Sequence, residues 1–340
     1  MYMNILAVES SCDETAVAIV KDGREVKCDC IASQVALHRE YGGVVPEIAS
    51  RKHIEAIYGL ADEALAETGL TRQDIDAVAV TYAPGLIGAV LVGVNFAKAA
   101  AMALEKPLIP VHHIRGHIAA NYIAYPELKP PFLCLVVSGG HTMFVDVKDY
   151  TEMSILGTTL DDAAGECFDK VGRVLGMPYP GGAALDKMAQ TGKPGMYNLP
   201  RSKPGENPYN MSFSGLKTAA LNLIHHAEQV GEEIDIPSLC AEFSQAVSDN
   251  LVPRAEMALR ETGYRKIAVA GGVAANSRIR ADILAMAERL GAEVYLPPLK
   301  LCGDNAAMIG AQGYYEYLAG NTAGMELNAY ATKSILGEKI

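Results

Sequence analysis

The chain has 340 residues, half of them hydrophobic and a fifth charged, an ordinary globular composition with room for about two domains. Its formal net charge of −11 at pH 7 argues against a protein that holds nucleic acid across most of its own surface, so any RNA contact needs a local basic patch or a basic partner. No signal peptide or membrane span is expected: Met1-Tyr2-Met3-Asn4 has no basic n-region, and Gly88, Gly93, Asn95 and Lys98 interrupt the apolar stretch at 86–104. The seven cysteines are odd in number and scattered, which fits reduced thiols in a cytoplasmic protein. Cys28-Asp29-Cys30 lacks the second pair that a structural zinc site needs.

In chain order, residues 4–8 (Asn-Ile-Leu-Ala-Val) predict a buried strand, 9–15 (Glu-Ser-Ser-Cys-Asp-Glu-Thr) a polar turn, and 16–20 a returning strand. The turn is dense in hydroxyls and carboxylates, as either a site or a solvated hairpin tip would be. Residues 48–68 carry apolar side chains at helical spacing, and Gly69 and Thr71 read as a stop and a fresh cap. A buried strand at 76–81 leads to the turn Tyr82-Ala83-Pro84-Gly85 and a small-residue helix at 88–104. A strand at 108–111 then delivers His113-Ile114-Arg115-Gly116-His117 into an alanine-rich helix. Positions four apart share a helix face, and two imidazoles so placed can share one metal ion. Taken alone, a chance pair of histidines explains that spacing equally well.

The strand–turn–strand pattern recurs at 132–137, Ser138-Gly139-Gly140-His141-Thr142 and 143–147, which predicts two duplicated α/β lobes with a cleft between them. A Ser-Gly-Gly turn lets backbone N–H groups come close to an anion. A capped helix is expected to start within 158–166 and run to Leu175. After the rigid turn Met177-Pro178-Tyr179-Pro180-Gly181-Gly182, a helix at 183–188 carries Asp186. The aperiodic loop 198–213, with Arg201 and Lys203, is the best local basic patch or a plain surface excursion, and Ser214 reads as the N-cap of the next helix. A strand at 266–270 leads to Gly271-Gly272-Val273-Ala274-Ala275-Asn276, where a glycine pair lets a phosphate or planar group reach the backbone. Beyond a strand at 293–296 and the break Pro297-Pro298, Asp304 stands at a natural N-cap position for a helix at 306–318. It is also the carboxylate best suited, from the other lobe, to join His113 and His117. Two histidines and one carboxylate with open positions suit Fe(II) or zinc.

His-Ile-Arg-Gly-His, Glu-Ser-Ser-Cys-Asp-Glu-Thr, Val-Ser-Gly-Gly-His-Thr, Asp-Asp-Ala-Ala-Gly-Glu, Tyr-Pro-Gly-Gly, Phe-Ser-Gly-Leu-Lys-Thr and Gly-Gly-Val-Ala-Ala-Asn all occur in this chain. Together they resemble the motifs of the TsaD family (also called Gcp or YgjD), the tRNA N6-adenosine threonylcarbamoyltransferases. The resemblance implies an α/β, actin-like (ASKHA, Hsp70/sugar-kinase type) fold of two lobes around a central cleft. One lobe would span 1–115, joined by 305–340, and the other 116–304. The implied reaction moves threonylcarbamoyl from threonylcarbamoyl-AMP to N6 of the adenosine 3′ of the anticodon in tRNAs reading ANN codons.

Carried over residue by residue, the resemblance puts metal ligands at His113, His117 and Asp304, with Fe(II) favoured and zinc the alternative. It puts substrate contacts at Val136, Val137, Ser138, Gly139, Gly140, Asp169, Gly182, Asp186 and Asn276. Glu9, Glu14 and His141 are further candidates for polar or acid–base roles. The nucleotide ligand would be threonylcarbamoyl-AMP, or ATP or ADP. The implied partners are tRNA, a TsaB-like paralogue and a TsaE-like ATPase, with a separate synthase supplying the adenylate and no membrane involved. The same fold leaves two other activities open. A metalloprotease needs His-Glu-x-x-His, but Ile114 stands where the glutamate would be. A phosphotransferase or ATPase needs carboxylates on Mg²⁺ in place of a histidine pair.

Overall fold

The computed structural model describes residues 2–203 and 205–336. Its elements begin with β1 (Asn4–Glu9), β2 (Glu14–Lys21), β3 (Glu25–Ser33), α1 (Val35–Arg39), α2 (Pro46–Thr68), β4 (Ala77–Ala83), α3 (Ile87–Leu104), β5 (Leu108–His112) and α4 (His113–Ala124). Next come β6 (Phe132–Val137), β7 (Thr142–Val147), β8 (Met153–Thr158), α5 (Ala164–Val174), α6 (Gly181–Ala189), α7 (Ser214–Val230) and α8 (Ile236–Thr262). The chain finishes with β9 (Lys266–Ala270), α9 (Ser277–Leu290), β10 (Glu293–Tyr295) and α10 (Ala306–Leu318).

Two compact units result. Met1–Pro130, Lys148–Met153 and Pro297–Ile340 form the first, and Pro131–Val147 with Ser154–Leu296 the second. Residues 116–130, 148–153 and 297–304, expected in the second lobe, therefore lie in the first, because α4 packs against α10, Tyr150 packs on Tyr315 and Arg24, and the loop before α10 stays with its helix.

Each unit builds a five-stranded mixed sheet, and the strand order is the same in both. In the first it is β3-β2-β1-β4-β5, with β2 antiparallel to β1 and to β3, β4 parallel to β1, and β5 parallel to β4. In the second it is β8-β7-β6-β9-β10, with β7 antiparallel to β6, β9 parallel to β6, and β10 parallel to β9. The recurring hairpin at 4–20 and 132–147 thus marks a genuine repeat of architecture.

The two faces of the first sheet are lined differently, which follows from the alternation of side chains along a strand. Leu6, Val8, Val17, Ile19, Val78 and Val80 pack against α2 and α3. Ile5, Ala7, Ala16, Ala18, Val20, Ala77 and Ala79 line the face that receives α10. Alanines there, and glycines on the helix, allow a close approach: a Cβ on Gly310 would lie 2.6 Å from Val20 Cγ2, and one on Gly313 2.8 Å from Ala79 Cβ. Among the described residues α3 is the one helix long and apolar enough to cross a membrane, and here Ala89, Val90, Gly93, Val94, Ala97 and Ala101 on it are buried.

Two helix starts differ from the sequence expectation. The N-cap of α10 is Asn305, whose Oδ1 accepts from Met308 N at 2.8 Å, and not Asp304. Asp29 on β3 accepts from Ala306 N and Ala307 N as well, so the first turn of α10 is satisfied without Asp304. Ser214 is the first residue of α7 and not its N-cap, and its hydroxyl donates to Asp162; α5, by contrast, begins at Ala164, inside the segment expected to start it.

The seating of α10 gives a direct test. Alanine is favoured over glycine by up to about 1 kcal/mol inside a helix. Gly310→Ala is nevertheless expected to destabilise the chain by about 1–3 kcal/mol in urea unfolding, because Val20 on the sheet cannot move away. A more stable variant would mean that α10 does not sit this close to β2.

Candidate metal centre

In open α/β sheets, sites form where parallel strands end at their carboxyl edge. In the first unit the parallel strands β1, β4 and β5 pair Val8 with Val80 and Thr81 with Val111, so Glu9, Thr81 and His113 emerge at one edge. The Glu9 carboxylate is wholly buried and accepts from Ser11 N at 2.5 Å, Thr81 Oγ1 at 2.6 Å and His113 Nδ1 at 2.9 Å. The Ser11 hydroxyl lies 3.2 Å from the same His113 nitrogen. With Nδ1–H committed to Glu9, the other ring nitrogen, Nε2, is the one left for a ligand.

His113 opens α4, and His117 follows one turn later. Gly116 between them lets α4 approach α10 closely, since a Cβ there would lie 2.7 Å from Ile309 Cδ1. That packing sets the histidine pair beside the loop that precedes α10. Asp304 Oδ1 lies 3.2 Å from His117 Nε2 and 3.6 Å from His113 Nε2, and one donor atom from each residue falls within 4.8 Å of the others. Donors sharing one ion at about 2.0–2.2 Å stand roughly 3.0–3.5 Å from each other, and the two separations from Asp304 lie within or next to that range. All three residues belong to the first unit, so Asp304 does not reach the pair from the other lobe as expected.

The electrostatics agree with this geometry. Burial by itself lowers the proton affinity of His113, but the Glu9 and Asp304 carboxylates outweigh it and push the imidazole up to about 9. Burial raises Glu9, yet His113 more than offsets that and holds the carboxyl below its ordinary value. Positive charge at this spot is strongly favoured, whether as a proton or as a cation.

Glu14 stands close by at the start of β2. Its Oε1 accepts from Ser33 Oγ at 2.9 Å and its Oε2 is buried without a hydrogen-bond partner. Burial, reinforced by Asp13, pushes it up to about 8. The Cys12 thiol is likewise driven up, by burial and then by Asp13, which disfavours its thiolate. Sequence reading gave no role to His53, yet its ring bridges Thr15 Oγ1 at 2.7 Å and the Cys12 carbonyl at 2.9 Å and so holds the 9–15 turn. Nor did it single out Thr81 or Asp29, since an isolated polar residue on a strand carries no local signal.

The remaining predicted positions gather in the second unit, at the carboxyl ends of its parallel strands β6 and β9, where Val136 pairs with Ala270. Val136 and Val137 are buried in β6 and offer only backbone at its end. Ser138 and His141 close a tight turn: Ser138 N donates to His141 O at 2.7 Å, and His141 N donates to Ser138 Oγ at 3.1 Å. Positions Gly139 and Gly140 face open space. The first turn of α5 rests on this loop, with Gly165 N donating to Ser138 O and no room for a Cβ at Gly165. Farther along α5, Asp169 Oδ1 accepts from Gly182 N at 3.0 Å. Asp186 accepts from Ser277 N at 3.0 Å, and Asn276 caps α9 through Ile279 N. The expected basic patch does not form around Arg201, which is paired with Glu242 and Asp249 at 2.8 Å each.

With this geometry established, the chain was compared with known proteins. The TsaD family model, described as tRNA N6-adenosine threonylcarbamoyltransferase, matches residues 25–311. A tRNA N6-adenosine threonylcarbamoyltransferase of Moorella thermoacetica is 55% identical over 326 residues, covering 96% of this chain and 95% of that one. One of Clostridium botulinum is 51% identical over 337 residues, covering 99% of each chain. Among solved structures, full-length HypF in its phosphate- and nucleotide-bound form superposes with a TM-score of 0.62 at 15% identity, over 97% of this chain and 47% of that one. Component A of (R)-2-hydroxyglutaryl-CoA dehydratase from Acidaminococcus fermentans gives 0.52 at 17% identity, over 93% and 97%. These two likenesses concern the fold alone, an actin-like α/β architecture. The family match and the identity over nearly the whole length carry more: this chain belongs to the TsaD family, the tRNA N6-adenosine threonylcarbamoyltransferases.

Proposed function

We propose that this transferase holds one divalent metal ion, Fe(II) in preference to zinc, on His113, His117 and Asp304, and binds its threonylcarbamoyl adenylate on the loops of the second unit. The observation that carries the metal reading is the convergence of two Nε2 atoms on one carboxylate oxygen, with Glu9 fixing the tautomer of His113 from behind. A divalent cation held there by His113, His117 and Asp304 would supply Lewis-acid chemistry.

The chain's own groups do the rest. Backbone N–H groups at Gly139 and Gly140 suit an anionic phosphate, in a turn closed by Ser138 N donating to His141 O, and Asp186 with Asn276 offers hydrogen-bonding partners for the nucleoside. The adenosine N6 attacks the carbamoyl carbonyl carbon, the bond from that carbon to the phosphate oxygen breaks, and AMP leaves with the electron pair. Since the acyl group arrives activated, orientation and charge stabilisation suffice, and no protein nucleophile is needed. The proton lost from N6 needs an acceptor. Glu14, held near neutrality, and His141 are the candidates, whereas Glu9 is committed to His113. Neither protease nor phosphotransferase chemistry gains support from this arrangement.

The acidic charge and the pairing of Arg201 favour a reaction in which tRNA is held together with partner proteins. Ile54 and Tyr58, one turn apart on α2, are 64% and 60% exposed and suit a docking surface for a TsaB-like paralogue; a TsaE-like ATPase and a separate adenylate synthase complete the proposed system. Seven free cysteines accord with a cytoplasmic setting.

Three measurements test this reading. His113→Ala and Asp304→Ala should each lower formation of threonylcarbamoyladenosine on tRNA by about a hundredfold or more, and unimpaired transfer by both would refute the metal role. Glu9→Gln should keep the fold but weaken metal retention about tenfold to a hundredfold, read by metal analysis of protein purified without oxygen or chelators. Filter binding at physiological salt should find little affinity of the isolated chain for tRNA, and tight binding would contradict the dependence on partners.

A further inference from the structure

Two sequence motifs have no place in the chemistry above, Asp161-Asp162-Ala163-Ala164-Gly165-Glu166 before α5 and Phe213-Ser214-Gly215-Leu216-Lys217-Thr218 at the start of α7. They lie 51 to 55 positions apart and lock onto each other. Asp161 accepts from Ser212 Oγ at 2.5 Å, Phe213 N at 2.8 Å and Ser214 N at 3.2 Å. Asp162 accepts from Ser214 Oγ at 3.0 Å and is ion-paired with Lys217 Nζ across to α7 and, at 3.6 Å, with Lys170 Nζ on α5 itself. Both side chains of the pair with Lys217 are only 16–17% exposed, so solvent screens it less than a surface pair. The hydrogen bond from Lys217, opposed by partial burial and helped by Ser214, holds the Asp162 carboxyl below its ordinary value.

What the lock holds is α5, the helix on which the loops of the second unit depend. Its first turn bears directly on the Ser138–Gly139 turn: Gly165 N donates to Ser138 O at 3.2 Å, and a Cβ on Gly165 would sit 2.5 Å from that oxygen. Farther along, Asp169 ties the helix to Gly182 at the start of α6. A shift of the α5 N-terminus would therefore carry both contacts with it. We propose that Lys217 and Asp162 are positioning residues of the transferase, which fix the α5 N-terminus against α7 and thereby set the adenylate-binding loops at Ser138–Gly140 and Gly182. This rests on the reading that those loops hold the adenylate. It does not involve the metal ligands, which belong to the other unit.

The test is the dependence of initial rate on adenylate concentration, with the full-length chain in the assembled tRNA-modifying reaction. Lys217→Met and Asp162→Asn should each raise KM about tenfold with kcat within about twofold, since displacing a binding loop costs affinity for the group it holds. The double variant should be no worse than Asp162→Asn alone, because Lys217→Met removes one of the contacts that Asp162 itself makes. Lys217→Arg, which keeps the charge, should stay near the wild-type KM. Asn276→Ala runs beside them as a change in the binding loops themselves. If it raises KM while Lys217→Met and Asp162→Asn do not, the positioning role is refuted and the loop reading survives. If it also leaves KM unchanged, the loop reading fails and the positioning role falls with it. Loss of cooperative thermal unfolding in both single variants would assign the pair to folding and equally overturn the proposal.

Discussion

Glu9 ends the central strand of the first sheet with its carboxylate shut away from water, and an ion in that position is tolerable only when donors surround it. Three do: a backbone amide two residues on, a threonine hydroxyl from the neighbouring strand, and the imidazole of His113. They come from β1, β4 and the junction of β5 with α4, so one carboxylate ties together the ends of three parallel strands. The same bond orients His113, and through it the direction in which the histidine pair faces Asp304. Asp13 and Asp304 add negative charge to the neighbourhood, which makes a cation the natural complement.

One architecture carries two different sets of polar groups. Both units place a hairpin strand beside a parallel crossover in the same order, and both gather polar groups where the parallel strands stop. The first fills that edge with carboxylates and imidazoles, which suit a cation. The second fills it with serine, glycines and an asparagine, which expose backbone N–H groups and suit an anion. Close approach is the shared device. Gly116 and Gly310 let helices come down on helix and sheet in the first unit, and Gly165 and Gly271 let backbone meet backbone in the second, where a Cβ on Gly271 would lie 2.5 Å from Val137 O.

Some of this could be read directly from the chain. The spacing of His113 and His117 specified a shared helix face, because 3.6 residues per turn is a local property. Apolar runs around polar turns gave β1, β2, β6 and β7, and Gly69 stopped α2 where expected, at φ 66°. Other segments gave no such signal. β3 (Glu-Val-Lys-Cys-Asp-Cys-Ile-Ala-Ser) mixes charge and thiols, being half-exposed at the sheet edge, and α8 buries serines, Asn250 and Arg254 where an amphipathic pattern would place apolar groups. The division at residue 115 also failed, since α4 joins the unit it packs against and not the one it points toward in sequence.

By itself, then, the order of residues determined the repeated lobes, the histidine pair, the glycine-rich turns and the family they jointly mark. It could not decide which groups meet. Glu9 and His113 are 104 positions apart, and Asp162 and Lys217 are 55 apart. Whether Asp304 or Asn305 caps α10 turned on which of two adjacent side chains faces inward. Contacts of that kind depend on how whole helices and sheets seat on one another, a long-range outcome of packing that periodicity and turn chemistry, confined to a few residues, do not encode locally.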